Sequence, residues 1–246
     1  MGEISIRAEE IMTIAGFPVT NALLLSYISV GFLATVGILF NSRIALVPGI
    51  FQGIIEYGVN GLFQLVRGVL QDDRKARTYF PLIATVFFFI LCSNLLGLLP
   101  GIGSVGIFHT VRAVKTFIPL FRSPASDLNF TLALAIVSVI SINFFGVLAV
   151  GFFKHISRFF TVRNPIDFFI GILEFISEIA KIISFSFRLF GNVFAGEVLL
   201  TIIAFLVPYF IPLPFLLLEL FVGFIQATVF AMLTLVFVSV ASSETH

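Results

Sequence analysis

Charge is scarce in this sequence. Only 11% of its 246 residues are Asp, Glu, Lys or Arg, while 59% are hydrophobic, and soluble domains carry roughly 25% charged residues. The mean hydropathy of +1.14 excludes water as the main solvent: a soluble domain of this length cannot expose so few charges and still bury so much Phe, Leu, Ile and Val. Cysteine is almost absent. The single Cys92 excludes an intramolecular disulfide and a cysteine-rich metal site, and its place in an apolar run reads as packing. A net charge of +1 leaves no basic field, so nucleic acid is not expected as a partner. Met1 to Gly16 hold Glu3, Arg7, Glu9 and Glu10 but no basic region leading to a small-residue cleavage site, so no cleavable signal peptide is expected. There is no GxSxG elbow or Walker loop. Of the three histidines, His109 and His155 fall in expected loops and His246 is terminal, so neither a metal nor a cofactor is expected.

What the chain does have is long apolar runs. A membrane-spanning helix needs about 20 mostly apolar residues, and residues 22–41, 79–99 and 130–153 meet that criterion. The run over 166–205 corresponds to about 60 Å of helix at about 1.5 Å per residue, twice the hydrocarbon thickness, so it must tilt, kink or lie partly in the membrane plane. A last run over 213–241 follows Pro208, Pro212 and Pro214, and the two long segments are expected to form a hairpin. Residues 50–70 place Glu56, Asn60, Gln64 and Arg67 at helical spacing among apolar residues, the pattern of an amphipathic interfacial helix. With no internal repeat, residues 1–246 read as a single all-α polytopic membrane domain of about five embedded helices, preceded by an N-terminal segment over 1–21.

Five spans place the termini on opposite sides, and Lys and Arg mark the cytoplasmic one. Arg43, Arg67, Arg74, Lys75, Arg77, Lys154, Arg158 and Arg163 fall on one side, and Arg7, Arg112, Lys115 and Arg122 on the other. Eight against four predicts a cytoplasmic C-terminus.

The fourth run carries its polar residues in register. Glu174, Ser177, Lys181, Ser184, Arg188 and Asn192 follow one another in steps of three or four, which at about 100° per residue lays them along one helix face. A charge near the middle of a spanning helix costs at least ~2.5 to 3.5 kcal/mol, so this stripe is expected to face protein or water. Lys181 has both Glu174 and Glu178 as candidate partners, and spacing does not choose between them. After Arg188 the next acidic residue is Glu197, and at nine positions, about 900°, Glu197 projects from the opposite face. One helix thus presents polar groups to two environments. The last run adds Glu219 and Gln226 on one face with Gly223 between them, a spacing that permits close helix approach and lets Glu197 and Glu219 meet across the hairpin.

The stretch Ser186-Phe187-Arg188-Leu189-Phe190-Gly191-Asn192-Val193-Phe194-Ala195-Gly196-Glu197 closely resembles the signature of subunit a of F-type ATP synthases, of bacterial type. Ser93 to Gly101, Pro124 to Leu134 and Gly223 to Ser239 resemble the family's other segments in the expected order, from about Ile50 to the C-terminus. The resemblance implies a proton-conducting stator in the Fo sector of a rotary ATP synthase, not an enzyme on its own. Its last two helices would form a strongly tilted hairpin against a rotor ring of small hairpin subunits, the c-ring. Further implied partners are the peripheral stalk subunit b, the rest of the F1Fo complex and membrane lipid, in a bacterial plasma (inner) membrane rather than a mitochondrial or plastid one. By the same resemblance Arg188 matches the essential arginine facing the ring carboxylate. Glu197, Asn192, Glu219, Gln226, Asp127 and Asn129 match the non-cytoplasmic half-channel, and Glu174, Ser177 and Ser184 the cytoplasmic one. Glu219 departs from members that have histidine there, which leaves both a relay and a structural role open to it. The competing class, a proton- or sodium-coupled secondary transporter, calls for inverted repeats and broken helices around a solute site, and the sequence shows no such symmetry. An intramembrane protease would need a base beside its nucleophile, and no histidine lies in a span.

Overall fold

A computed structural model describes residues 8–14, 16–42, 44–45, 48–99, 101, 105–111, 114–157, 165–207 and 210–243. Arg7, Arg43, Arg112, Arg158 and Arg163, which enter the charge count, lie outside the described residues, as do Pro208, His246 and the side chains of His109 and Lys115. The helices are α1 (Asn21–Ser42), α2 (Ile50–Leu70), α3 (Asp73–Gly97), α4 (Leu128–Val150), α5 (Phe152–Ser157), α6 (Pro165–Leu206) and α7 (Pro212–Ser242). Among the described residues, five helices, α1, α3, α4, α6 and α7, are long and apolar enough to cross a membrane. The chain is an all-α polytopic membrane protein in its spanning part.

Two elements depart from the purely helical expectation. Strand β1 (Glu10–Ile14) pairs antiparallel with β2 (Phe17–Thr20), and β3 (Gly106–Val111) pairs antiparallel with β4 (Val114–Pro119). Each strand has only four to six residues, too short to register in a search for 20-residue runs. The first hairpin turns through Gly16 at φ 87°, a backbone conformation that glycine adopts without steric cost. Asn21 ties these pieces together. Fully buried at the start of α1, it accepts from the Glu9 amide at 3.3 Å and donates through Nδ2 to the Pro119 carbonyl at 3.3 Å.

Helix ends follow local capping chemistry more than hydropathy. The apolar run starts at Tyr79, yet α3 starts at Asp73 because the Asp72 carboxylate accepts from the Arg74 and Lys75 amides at 2.9 and 3.2 Å, satisfying donors that a first turn leaves open. Asp127 does the same for α4, accepting from the Asn129 amide at 3.0 Å and from Asn129 Nδ2 at 3.3 Å. Asp127 is buried and Asn129 exposed. An Asp127→Ala substitution is expected to cost about 0.5 to 2 kcal/mol through loss of this cap, measured as a lower thermal transition of the detergent-solubilised complex.

Helix α7 is the central element, packed against α3, α4 and α6. Ile83 and Ile90 of α3, Ile142 of α4, Phe185 and Leu189 of α6, and Leu235 and Val238 of α7 form its buried surroundings. Phe185 stacks obliquely on Phe230 with ring centroids 4.8 Å apart. Helix α2 lies on α3 and buries Leu62 and Val66. By contrast α6, with 42 residues, runs for about 63 Å at about 1.5 Å per residue and leaves most of its apolar face outside the fold: Phe168, Phe169, Phe175, Ile183 and Phe187 are exposed. An exposed apolar face of this length requires lipid or protein cover.

Candidate functional site: two polar regions on one helix

Helix α6 carries polar residues into two separate places, set by the direction in which each side chain leaves the helix. Toward its C-terminal end, Glu197 points into the protein. It lines a cavity of about 240 Å³ together with Asn94 of α3, Arg122 and Ser123 of the preceding loop, Thr201 of α6 and Glu219 of α7. Arg122, only 9% exposed, places Nε 3.3 Å from Glu197 Oε1 and also donates through Nε to Ser126 Oγ at 3.1 Å. An arginine withdrawn from solvent in this way needs an anionic partner, and Glu197 supplies it.

Glycines make the room. A side chain at Gly196 would occupy the position of the Glu219 carboxyl, so that carboxyl lies against α6 here only because residue 196 has no Cβ. A methyl at Gly97 would meet Ser123 Cβ at 2.7 Å, and one at Gly223 would meet Asn94 Cβ at 3.2 Å. Asn94 is buried and donates to the Gly223 carbonyl at 3.2 Å. Asn94 Oδ1, Ser123 Oγ and Glu197 Oε2 have no protein hydrogen-bond partner among the described residues. Buried oxygens around a cavity of this size are the kind that water serves.

The N-terminal segment reaches the same region. Burial pushes the Glu9 carboxyl above its ordinary pKa, Arg122 draws it down, and Glu197 raises it again. Glu9 is therefore within electrostatic range of the Arg122–Glu197 pair, although it is 188 positions away from Glu197 in sequence.

One face round, α6 presents the second region. Ser177, Lys181, Ser184 and Arg188 line a groove of about 240 Å³ with Phe185, Leu233 and Phe237. Arg188 is exposed and donates through Nη2 to Ser184 Oγ at 3.2 Å. Asn192, one turn further, is exposed as well. Lys181 is not drawn toward Arg188. Its Nζ donates to Glu178 Oε1 at 2.6 Å and lies 4.9 Å from the Phe237 ring centroid, so of its two candidate partners the ammonium takes Glu178.

Of the residues singled out from sequence, Glu197 and Glu219 come together in the cavity, and Ser177, Ser184 and Arg188 in the groove. Glu174 on α6 and Gln226 on α7 are half-buried and line neither space. Asp127 and Asn129 meet each other at the head of α4. Sequence reasoning missed Arg122, which entered only as a loop charge, and Asn94, which passed as part of an apolar span. It also placed His155 in a loop. The structure puts His155 in α5 and buries it to 5%, because Gly146 leaves space for the ring against α4. Among the described residues no group of three His, Cys, Asp or Glu is arranged to hold a metal ion.

Comparison with known proteins gives a consistent picture. Residues 23–239 match the family described as ATP synthase A chain. The chain is 36% identical over 208 residues to ATP synthase subunit a of Campylobacter concisus, covering 82% of each sequence. It is 34% identical over 200 residues to ATP synthase subunit a of Campylobacter jejuni, covering 80% of this chain and 79% of the relative. It is also 32% identical over 228 residues to ATP synthase subunit a 3 of Pelobacter propionicus, covering 92% of this chain and 89% of that protein.

Proposed function

Because this chain belongs to the ATP synthase A chain family, and so is a proton-conducting stator subunit of the Fo sector, we propose that Arg188 divides its ion path into two offset half-channels. The protein is an integral membrane, non-catalytic part of the F1Fo complex. A self-sufficient ion-coupled transporter is not favoured.

The observation that carries the proposal is the divergence of α6. Arg188 faces outward from the fold, while Glu197 turns inward to the cavity. An outward-facing arginine in a spanning helix calls for a partner in the membrane plane, and a ring of hairpin subunits with a carboxylate at that depth fits. A guanidinium does not give up its proton in proteins. It therefore favours the ionised form of any carboxylate brought within ~4 to 6 Å and makes the ring site release its proton before passing. The same fixed charge repels protons that would run directly between the two regions. Flux must then pass by way of rotation.

In this reading Glu197, Glu219, Asn192 and Gln226, with Asp127 and Asn129 near the mouth, form the non-cytoplasmic half-channel, and Glu174, Ser177 and Ser184 form the cytoplasmic one. The c-ring covers the exposed face of a tilted α6–α7 hairpin, and subunit b completes the stator. The excess of Lys and Arg on the side of the C-terminus supports a cytoplasmic C-terminus in a bacterial plasma membrane.

The test is Glu197→Gln. It keeps the side-chain shape but removes the charge that pairs with Arg122, so passive proton conduction through F1-stripped vesicles is expected to fall by about tenfold or more, the cost of leaving one partner of a charge-assisted pair alone. Wild-type conduction across a pH series would show that Glu197 is not on the path.

A further inference from the structure

We propose that His155 is a positioning residue of the cytoplasmic half-channel: acting through Asn143, it holds Glu178 against Lys181 and so keeps the Lys181 ammonium paired at the wall of the groove below Arg188. The inference rests on the half-channel reading above and adds residues that reading does not use.

Four side chains from three helices form one hydrogen-bonded chain. His155 Nε2 lies 3.0 Å from Asn143 Oδ1. Asn143 Nδ2 donates to Glu178 Oε2 at 3.1 Å and to the Val139 carbonyl at 3.0 Å. Glu178 Oε1 accepts from Lys181 Nζ at 2.6 Å.

The direction of the chain is fixed by counting protons. An amide nitrogen has two hydrogens, and both of those on Asn143 are spent on acceptors, Val139 O and Glu178. Turning the amide over would set its oxygen against that same carbonyl and carboxylate. Asn143 Oδ1 must therefore accept, and His155 Nε2 must carry a proton. The His155 ring is locked in place, with Cε1 packed at the site where Gly146 has no side chain.

The consequence falls on Lys181. Glu178 and Lys181 are 17% and 19% exposed, so each depends on the other for compensation of its charge. Lys181 lines the same groove as Arg188 and lies seven residues, about 10 Å of helix, from it. Released from Glu178, its flexible stem would carry a second positive charge into the groove and oppose the entry of protons. Remove the His155 donor and Asn143 Oδ1 loses its partner, the amide is held from one side only, and its grip on Glu178, and with it the pairing of Lys181, loosens.

The charged groups around His155 among the described residues are Lys154 on its own helix and the Glu178–Lys181 pair on α6. Helix α4 offers Asn143, and Ala241 of α7 lies beside the same Gly146 site. A second proton on His155 would strengthen its bond to Asn143 by making it charge-assisted, so the chain is tightest with the ring doubly protonated.

The experiment compares wild-type, His155→Ala and His155→Gln complexes in F1-stripped vesicles. Proton conduction is driven by a potassium diffusion potential from about pH 6 to about pH 8.5, a range that brackets histidine titration, and is normalised to assembled complex. Gln retains an N–H donor near the Nε2 position but does not titrate. The expected result is a loss of about tenfold in His155→Ala, the scale on which the Asn143 bond to the charged Glu178 is weakened with it. His155→Gln should conduct near the wild-type level at high pH but lack the wild-type rise toward low pH. Wild-type conduction by His155→Ala, or a wild-type pH profile in His155→Gln, would overturn the proposal. So would equal losses in both variants. If His155→Ala fails to assemble, the His155→Gln profile alone decides. Failure of the half-channel reading would show instead in Arg188 variants, with His155 intact.

Discussion

Complexes carrying Arg188→Lys are expected to lose proton-driven ATP synthesis by at least about a hundredfold, a change of roughly 2.7 kcal/mol in the coupled step. Lysine keeps the formal charge, so a simple charge count forecasts little effect. The difference lies in how the charge is held. Guanidinium is planar and delocalised, and its fork can serve two acceptors at once; Arg188 holds Ser184 Oγ through Nη2. An ammonium is a point charge on a loose stem and gives up its proton readily when desolvated against a second apolar surface. The check is synthesis in inverted vesicles under an imposed proton gradient, with retained ATP hydrolysis as proof that the complex assembles. Synthesis at the wild-type rate would remove Arg188 from its role as divider. Arg188→Ala sharpens the result: with the barrier charge gone, vesicles should leak protons while synthesising nothing.

Gly196→Ala is the second large expected effect, and its sign is opposite to what local rules give. Alanine is favoured over glycine inside a helix by about 0.8 to 1.0 kcal/mol, so at an open position the change would stabilise α6. Here the added methyl falls on the Glu219 carboxyl. Overpacking of a filled site costs about 1 to 3 kcal/mol. In this case the group displaced is a buried carboxyl facing Glu197 across the cavity. Passive proton conduction is expected to fall by about tenfold to a hundredfold, following that cost at about 1.4 kcal/mol per factor of ten. A double-mutant comparison isolates the cause. In a Glu219→Asp background, one methylene shorter, adding Gly196→Ala should have little further effect. An equal loss in both backgrounds would mean that Gly196 acts on something other than Glu219.

The membrane class of the protein was legible from composition, and the polar face of α6 from spacing alone. Ser184, Arg188 and Asn192 recur every four residues, a regularity within one helix that needs no knowledge of its neighbours. The divergence of Arg188 and Glu197 followed from the same arithmetic. Other features had no such trace. Arg122 looked like any loop cation until the fold set it against Glu197. His155 sat in a stretch too short for any periodicity, yet Gly146 on the neighbouring helix gives its ring a buried place. The β-hairpins escaped because four to six extended residues carry little signal beside runs of more than 20.

Sequence by itself determined that this chain lives in a bilayer, that five of its helices are long and apolar enough to cross it, and that one of them carries an arginine followed by no acidic residue until the opposite face. These are properties of single elements, set by hydropathy and a period of 3.6 residues. Only the tertiary structure decided which polar groups meet: Glu197 with Arg122, Glu219 with the space left by Gly196, and Glu178 with both Lys181 and Asn143. Those meetings depend on the relative register of packed helices. Register is fixed by how the side chains of several elements fit together, and no one of those elements encodes it alone.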